Sequence, residues 1–220
     1  MRRPDMNYTP SPAGFWKRYV AYFIDIVLLY IVVEILSTIY FSFQAYSQAG
    51  LLKDLLGSLN AASERGETPD PIVIMKSLEA ILLPSLIFSS VAYFILAGIY
   101  FSWMESSPHQ ATLGKRLLDI KVTNQIGEPV KLPQAVGRYL ATTLSWLTLN
   151  LGHALAAWTP ERRALHDYVA GTRVENVDPK NTAMPLWAWI IVGIHALIFL
   201  GTIFLLFLMV LLYMQMLSAI

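Results

Sequence analysis

Four apolar stretches dominate this chain, and together they confine it to a fold embedded in lipid. Tyr19 to Phe43 is broken only by Asp25 and Glu34. Ala80 to Met104 holds no Asp, Glu, Lys or Arg, and Tyr139 to Trp158 is free of charge apart from His153. Trp187 to Leu217 has none, and no formally charged residue follows Asn181. A membrane span takes about 20 mostly apolar residues. Trp16, Trp103, Trp158 and Trp187 stand near the ends of these runs, where aromatic belts form. Charged residues make up 14% of the chain, against about 25% in soluble domains, so a water-soluble fold has too little polar surface. A net charge of +1 removes the electrostatic case for nucleic acid. The absence of Cys removes disulfides, thiolate metal sites and cysteine nucleophiles.

Charge placement predicts the orientation. Arg2, Arg3, Lys17 and Arg18 outweigh Asp5 at the N-terminus. The connector Gln44 to Ser77 is acidic on balance and reads as an amphipathic helix, Leu51 to Leu59, followed by a polar loop. Positive-inside bias then puts the N-terminus in the cytoplasm of a plasma (inner) membrane and this connector outside. The first apolar run is too long for a secretory leader and carries Asp25, so it is read as a span that is kept. After the second run, Lys115, Arg116, Lys121 and Lys131 return the chain to the cytoplasm. There Leu118, Ile120 and Val122 alternate with polar residues, a strand pattern that ends in a turn at Asn124–Gly127.

The third run is pulled two ways. A single crossing would put Arg162, Arg163, Arg173 and Lys180 outside, against the same bias. Thr148 to His153 makes a poor helix centre and a good turn. Two short helices that enter and return satisfy both observations, provided protein covers the break. The expected fold is therefore an all-α membrane protein. It is a helical bundle of three full spans plus one short re-entrant helical hairpin, or four spans, with small extended cytoplasmic segments. Residues 1–178 form the membrane domain and 179–220 an additional C-terminal transmembrane helix.

Polar groups inside the spans are the candidate functional residues, because an unpaired charge in lipid costs about 2.5–3.5 kcal/mol on the insertion scale. Arg18 and Asp25, seven residues apart, share a helix face about 10 Å apart along the axis. Glu34 lies on the opposite face, either under protein or in a wetted outer pocket. A second cluster, Arg162-Arg163-Ala164-Leu165-His166-Asp167, ends at Gly171, which can close a helix in a left-handed conformation. His153 and His195 read as hydrogen-bonded packing groups rather than ligands. The four histidines show no metal spacing, and Gly114-Lys115 lacks the rest of a phosphate loop. No cofactor is expected, and the chain is not read as an enzyme.

Lys17-Arg18-Tyr19 with Asp25, Thr112-Leu113-Gly114-Lys115-Arg116, Ile120-Lys121-Val122, Gly127-Glu128-Pro129, and Arg163-Ala164-Leu165-His166-Asp167 with Ala170-Gly171-Thr172 together resemble the RDD family of membrane proteins. The resemblance runs from Phe15 to about Val177. It implies Arg18, Asp25 and Asp167 as the family's Arg and two Asp positions. It also implies cation/proton antiport as one function, since some members resemble sodium(lithium, potassium)/proton antiporters.

Two functional readings follow. In a transporter, Asp25 would hold a monovalent cation or a proton, Arg18 would gate it, and Asp167 would accept on the cytoplasmic side. Glu34 and His166 would extend the route, and a homo-oligomer would thicken the wall. In an interaction or assembly protein, the same Arg and Asp residues would be structural. On either reading the lipid bilayer is a partner.

Overall fold

The computed structural model describes residues 9–218, so the basic residues Arg2 and Arg3 lie outside the described part. The structure is 72% helical, and among the described residues three helices are long and apolar enough to cross a membrane: Phe15–Gln44, Pro71–Ser106 and Leu186–Met216. This is an all-α membrane protein. It divides into two compact units, one made of residues 26–101 and the other of residues 1–25 with 102–220.

The 26–101 unit is built from two long helices and a short one. Helix α1 (Phe15–Ser47) enters it, α2 (Ala49–Glu64) follows, and α3 (Pro71–Ser106) leaves it. The expected amphipathic helix is present as α2 and is longer than the sequence suggested. The polar loop after it is much shorter, because α3 starts at Pro71 rather than near Ala80. Pro71 brings its φ already suited to a first helical position, and the Asp70 carboxylate accepts from the Ile72 N–H at 2.9 Å. α1 and α3 touch through a 2.8 Å Ser37–Ser89 hydroxyl pair and a Tyr40–Phe88 ring stack at 4.2 Å. Along α1 and α3 many of the remaining side chains are apolar and exposed, as a lipid-facing surface requires.

The other unit carries the polar architecture. After α3 come α4 (Leu113–Leu117), β1 (Ile120–Asn124), α5 (Leu132–Leu147), α6 (Leu151–Trp158), α7 (Leu165–Ala170), β2 (Thr172–Asn176) and α8 (Leu186–Ser218). The third apolar run is two helices, not one long span. Leu149 and Asn150 both take positive φ, and the Asn150 N–H returns to the Ser145 carbonyl at 2.8 Å, which folds α6 back from α5. The two extended pieces pair antiparallel, Val122 opposite Val174. Leu118 and Asp119, expected in the first strand, instead close α4, with Asp119 at φ 51°. Ala13 extends the pairing by donating to the Val174 carbonyl at 2.9 Å. Val20 and Ala21 of α1, Leu118, Ile120, Val122, Ala135 and Val174 form the apolar core beneath.

Candidate functional site

Arg138 is the hub. α5 buries one stripe, Ala135, Arg138, Tyr139, Thr142 and Ser145, at the i, i+3, i+4, i+7 spacing of an amphipathic helix. That stripe carries a guanidinium into the interior, where it must be paired. One edge grips Glu105, at the end of α3, with Nη1 2.7 and 2.8 Å from the two carboxylate oxygens. The other edge reaches Asp167 of α7, with Nε and Nη2 3.1 and 2.9 Å from Oδ1. Lys115 of α4 adds a second cation to Glu105 at 2.7 Å, and Arg18 of α1 adds a second to Asp167. The result is an unbroken alternation, Lys115–Glu105–Arg138–Asp167–Arg18, across α4, α3, α5, α7 and α1. Arg18 also donates to the Arg162 carbonyl at 2.6 Å.

Asp167 is fully buried and multiply bonded. Oδ2 accepts from the Ala164 N–H at 2.9 Å, which caps α7, and Thr172 reaches Oδ1 at 3.4 Å. Burial disfavours its ionised form. The Arg18 and Arg138 guanidiniums outweigh that, helped by the Ala164 amide, and hold the carboxyl well below the usual carboxylate range. Burial drives His166 the opposite way from a charged partner: its imidazole is held well below the usual range, with Arg138 and Arg18 reinforcing the effect against the pull of Asp167. His166 is thus neutral, and its Nε2, 3.7 Å from Asp167 Oδ1, makes a polar contact rather than an ion pair. Adjacent on the sequence, His166 and Asp167 both point inward because α7 is one short turn enclosed by α5 and α6. Arg163 locks the same turn, donating to the carbonyls of Asp167 and Thr172 at 3.0 and 3.1 Å and lying 4.2 Å over the Tyr168 ring. Gly171, at φ 63°, ends α7 in the left-handed conformation anticipated for it.

Asp25 occupies a different place from the one its helix face suggested. Its Oδ2 accepts from the Thr112 hydroxyl at 2.6 Å and its Oδ1 from the Gly114 N–H at 2.8 Å, so the carboxylate seals the start of α4 against α1. Gly114 is obligatory there: a Cβ would fall on the Ala21 carbonyl, well inside contact distance. Arg18 meets Asp167 and not Asp25, because the helical rise carries Asp25 to the level of α4. Glu34 belongs to the 26–101 unit and is exposed. Of the five sequence candidates, Arg18, Asp167 and His166 come together, Asp25 meets Thr112 and Gly114, and Glu34 belongs to the 26–101 unit. His153 and His195, expected to be hydrogen-bonded, each leave Nδ1 buried without a partner. They pack instead on rings, His153 against Tyr22 and His166, and His195 against Tyr19 and Phe23.

Glu105, Lys115 and Arg138 were not singled out from the sequence. Their signal was positional. Glu105 is the first charge after one apolar run, and Arg138 the last before another.

Membrane-length helices together with a buried, alternating chain of ion pairs define a multi-pass helical membrane protein with a polar clasp. More specifically, the RDD family model matches residues 12–171, and the chain belongs to the RDD family. It is similar to the uncharacterized protein YxaI of Bacillus subtilis (strain 168), 29% identical over 168 residues, which is 74% of this chain and 97% of that one. No solved structure matches.

Proposed function

We propose that this chain is a non-transporting membrane interaction or assembly module whose Arg/Asp pairs are structural. It would sit in the plasma (inner) membrane with its N-terminus in the cytoplasm, residues 1–178 forming the RDD-type domain and 179–220 adding a span. The carrying observation is the saturation of Asp167. Two guanidiniums and a backbone N–H already meet its oxygens, so an incoming cation or proton has to displace an arginine. An exchanging carboxylate has to release its partners in each cycle, and here that would strand buried charges. The reading assigns no enzymatic chemistry.

Cation/proton exchange is the second reading, and Asp25 favours it. This carboxylate is fully buried in a span and accepts from a hydroxyl and an amide. Flux in liposomes separates the two. The assembly reading expects sodium, potassium, lithium and proton fluxes equal to those of protein-free vesicles. A flux abolished by Asp25→Asn, with the variant still folded, establishes the exchanger instead.

A further inference from the structure

Away from the ion-pair clasp, a cavity of about 310 Å³ opens where α1 and α8 begin. Its walls include Lys17 from α1, Leu117 and Asp119 from the end of α4, and Asn181, Met184 and Trp187 from the approach to α8. The Lys17 side chain is buried, with 4% of the residue exposed. Its ammonium donates to Asn176 Oδ1 at 3.0 Å and to the Asn181 carbonyl at 3.3 Å. Those bonds engage two of its three protons. Asp119 is exposed and held at φ 51°, a conformation that Asp and Asn tolerate better than most residues. Its backbone is pinned on both sides: the N–H goes to Arg116, and the carbonyl accepts from Val177 at 2.8 Å.

The depth of this cavity follows from its aromatic neighbours. Trp187 lies on its wall, and Trp16 and Trp189 meet 6.3 Å apart at the starts of the two parallel helices. Indole rings gather at the headgroup level of a bilayer. The volume is at the low end of the about 300–1,000 Å³ of small-molecule sites, enough for a polar headgroup but not for acyl chains. The chains have a surface of their own beside it, since α8 is apolar and exposed from Ala196 onward.

Charge selects the ligand. One buried ammonium and one carboxylate line the cavity, with no further formal charge among its walls. A purely anionic headgroup would meet Asp119 as a like charge, and a purely cationic one would meet Lys17. We propose that the cavity binds the zwitterionic phosphoethanolamine headgroup of a membrane phospholipid, its phosphate on Lys17 and its primary ammonium on Asp119. The primary amine matters because it can donate hydrogen bonds to the carboxylate, which a trimethylated amine cannot. This proposal does not use the clasp residues and stands whether or not the chain moves ions.

The test is a titration of the purified full chain in detergent, followed by tryptophan fluorescence and native mass spectrometry. The probes are short-chain phosphatidylethanolamine, phosphatidylcholine and phosphatidylglycerol, with free phosphoethanolamine and inorganic phosphate as soluble controls. Phosphatidylethanolamine is expected to bind at least tenfold more tightly than the other two lipids and than either control. Asp119→Asn keeps a residue suited to positive φ and is expected to erase that preference, with phosphatidylglycerol gaining relative to phosphatidylethanolamine. Lys17→Gln is expected to weaken all three lipids together. If Lys17→Gln fails to fold, Asp119→Asn alone carries the test. Equal binding of the three lipids by the natural chain, or an unchanged preference in Asp119→Asn, overturns the proposal. Free phosphoethanolamine binding as tightly as the lipid overturns the lipid assignment.

Discussion

The two units of this chain solve the same problem by opposite means. Residues 26–101 put apolar side chains outward and join α1 to α3 with little polar chemistry: a serine pair, a ring stack and close packing. The unit of residues 1–25 and 102–220 instead buries five charged side chains in contact and stitches five helices through them. In lipid there is no hydrophobic force between apolar helices, so helix pairs rely on packing and on hydrogen bonds of modest strength. Short helices such as α4 and α7 offer too little surface for that. An ion pair fixes them with a few atoms, at the cost of making every member indispensable, because a buried charge without its partner is strongly unfavourable.

The comparison breaks most visibly at Arg138. Arg138→Gln leaves Glu105 and Asp167 facing each other with one cation apiece. A loss of about 3–5 kcal/mol is expected, the range for one partner removed from a buried pair. Thermal unfolding in a mild detergent measures it, and a loss below about 1 kcal/mol, typical of surface pairs, would place the clasp in water. Gly114→Ala comes next. The added methyl must push α4 off α1 and lengthen the Asp25 hydrogen bonds, so a loss of about 1–3 kcal/mol is expected, as for other overpacked sites. An unchanged melting temperature would show that α4 is not held there.

A smaller effect is expected with pH. The folded His166 titrates below its unfolded value of about 6.5. The unfolded chain therefore takes up a proton first, and stability falls as pH drops below about 6.5. Asp167, also depressed, contributes stability that is present above about pH 3.9 and is lost only as pH falls further, through its folded value. Melting curves between pH 7.5 and 4.5 should show a decline that His166→Gln makes shallower; equal slopes in the two proteins would remove His166 from the account. The smallest change is expected in the other unit. Ser37→Ala should cost about 0.6 kcal/mol, the average for a side-chain hydrogen bond within a membrane bundle. A loss rivalling that of Arg138→Gln would erase the contrast between the units.

Much of this was legible in the sequence. Apolar run length gave the spans, the Thr148–Asn150 break gave the α5–α6 hairpin, and alternation around Ile120 and Val122 gave the paired strands. Arg18 and Asp167 were both candidates from charge and resemblance, and the structure joins them. Asp25 was misplaced because a helical wheel reports direction but not which neighbour arrives at that height. Its partner, the start of α4, depends on Gly114 admitting close approach, a tertiary fact. Glu105 and Arg138 were overlooked for a related reason. Charges flanking an apolar run usually snorkel to water, and nothing local distinguishes two that turn inward to meet each other.

The central claim is that the clasp is a lock made by specific pairs. A double-mutant cycle of Arg138→Gln and Asp167→Asn, read as unfolding free energy in detergent, tests it most directly. The account predicts that each single variant loses about 3–5 kcal/mol and that the double variant loses less than the sum by more than about 1 kcal/mol. Additivity within about 0.5 kcal/mol, the behaviour of independent sites, would contradict it.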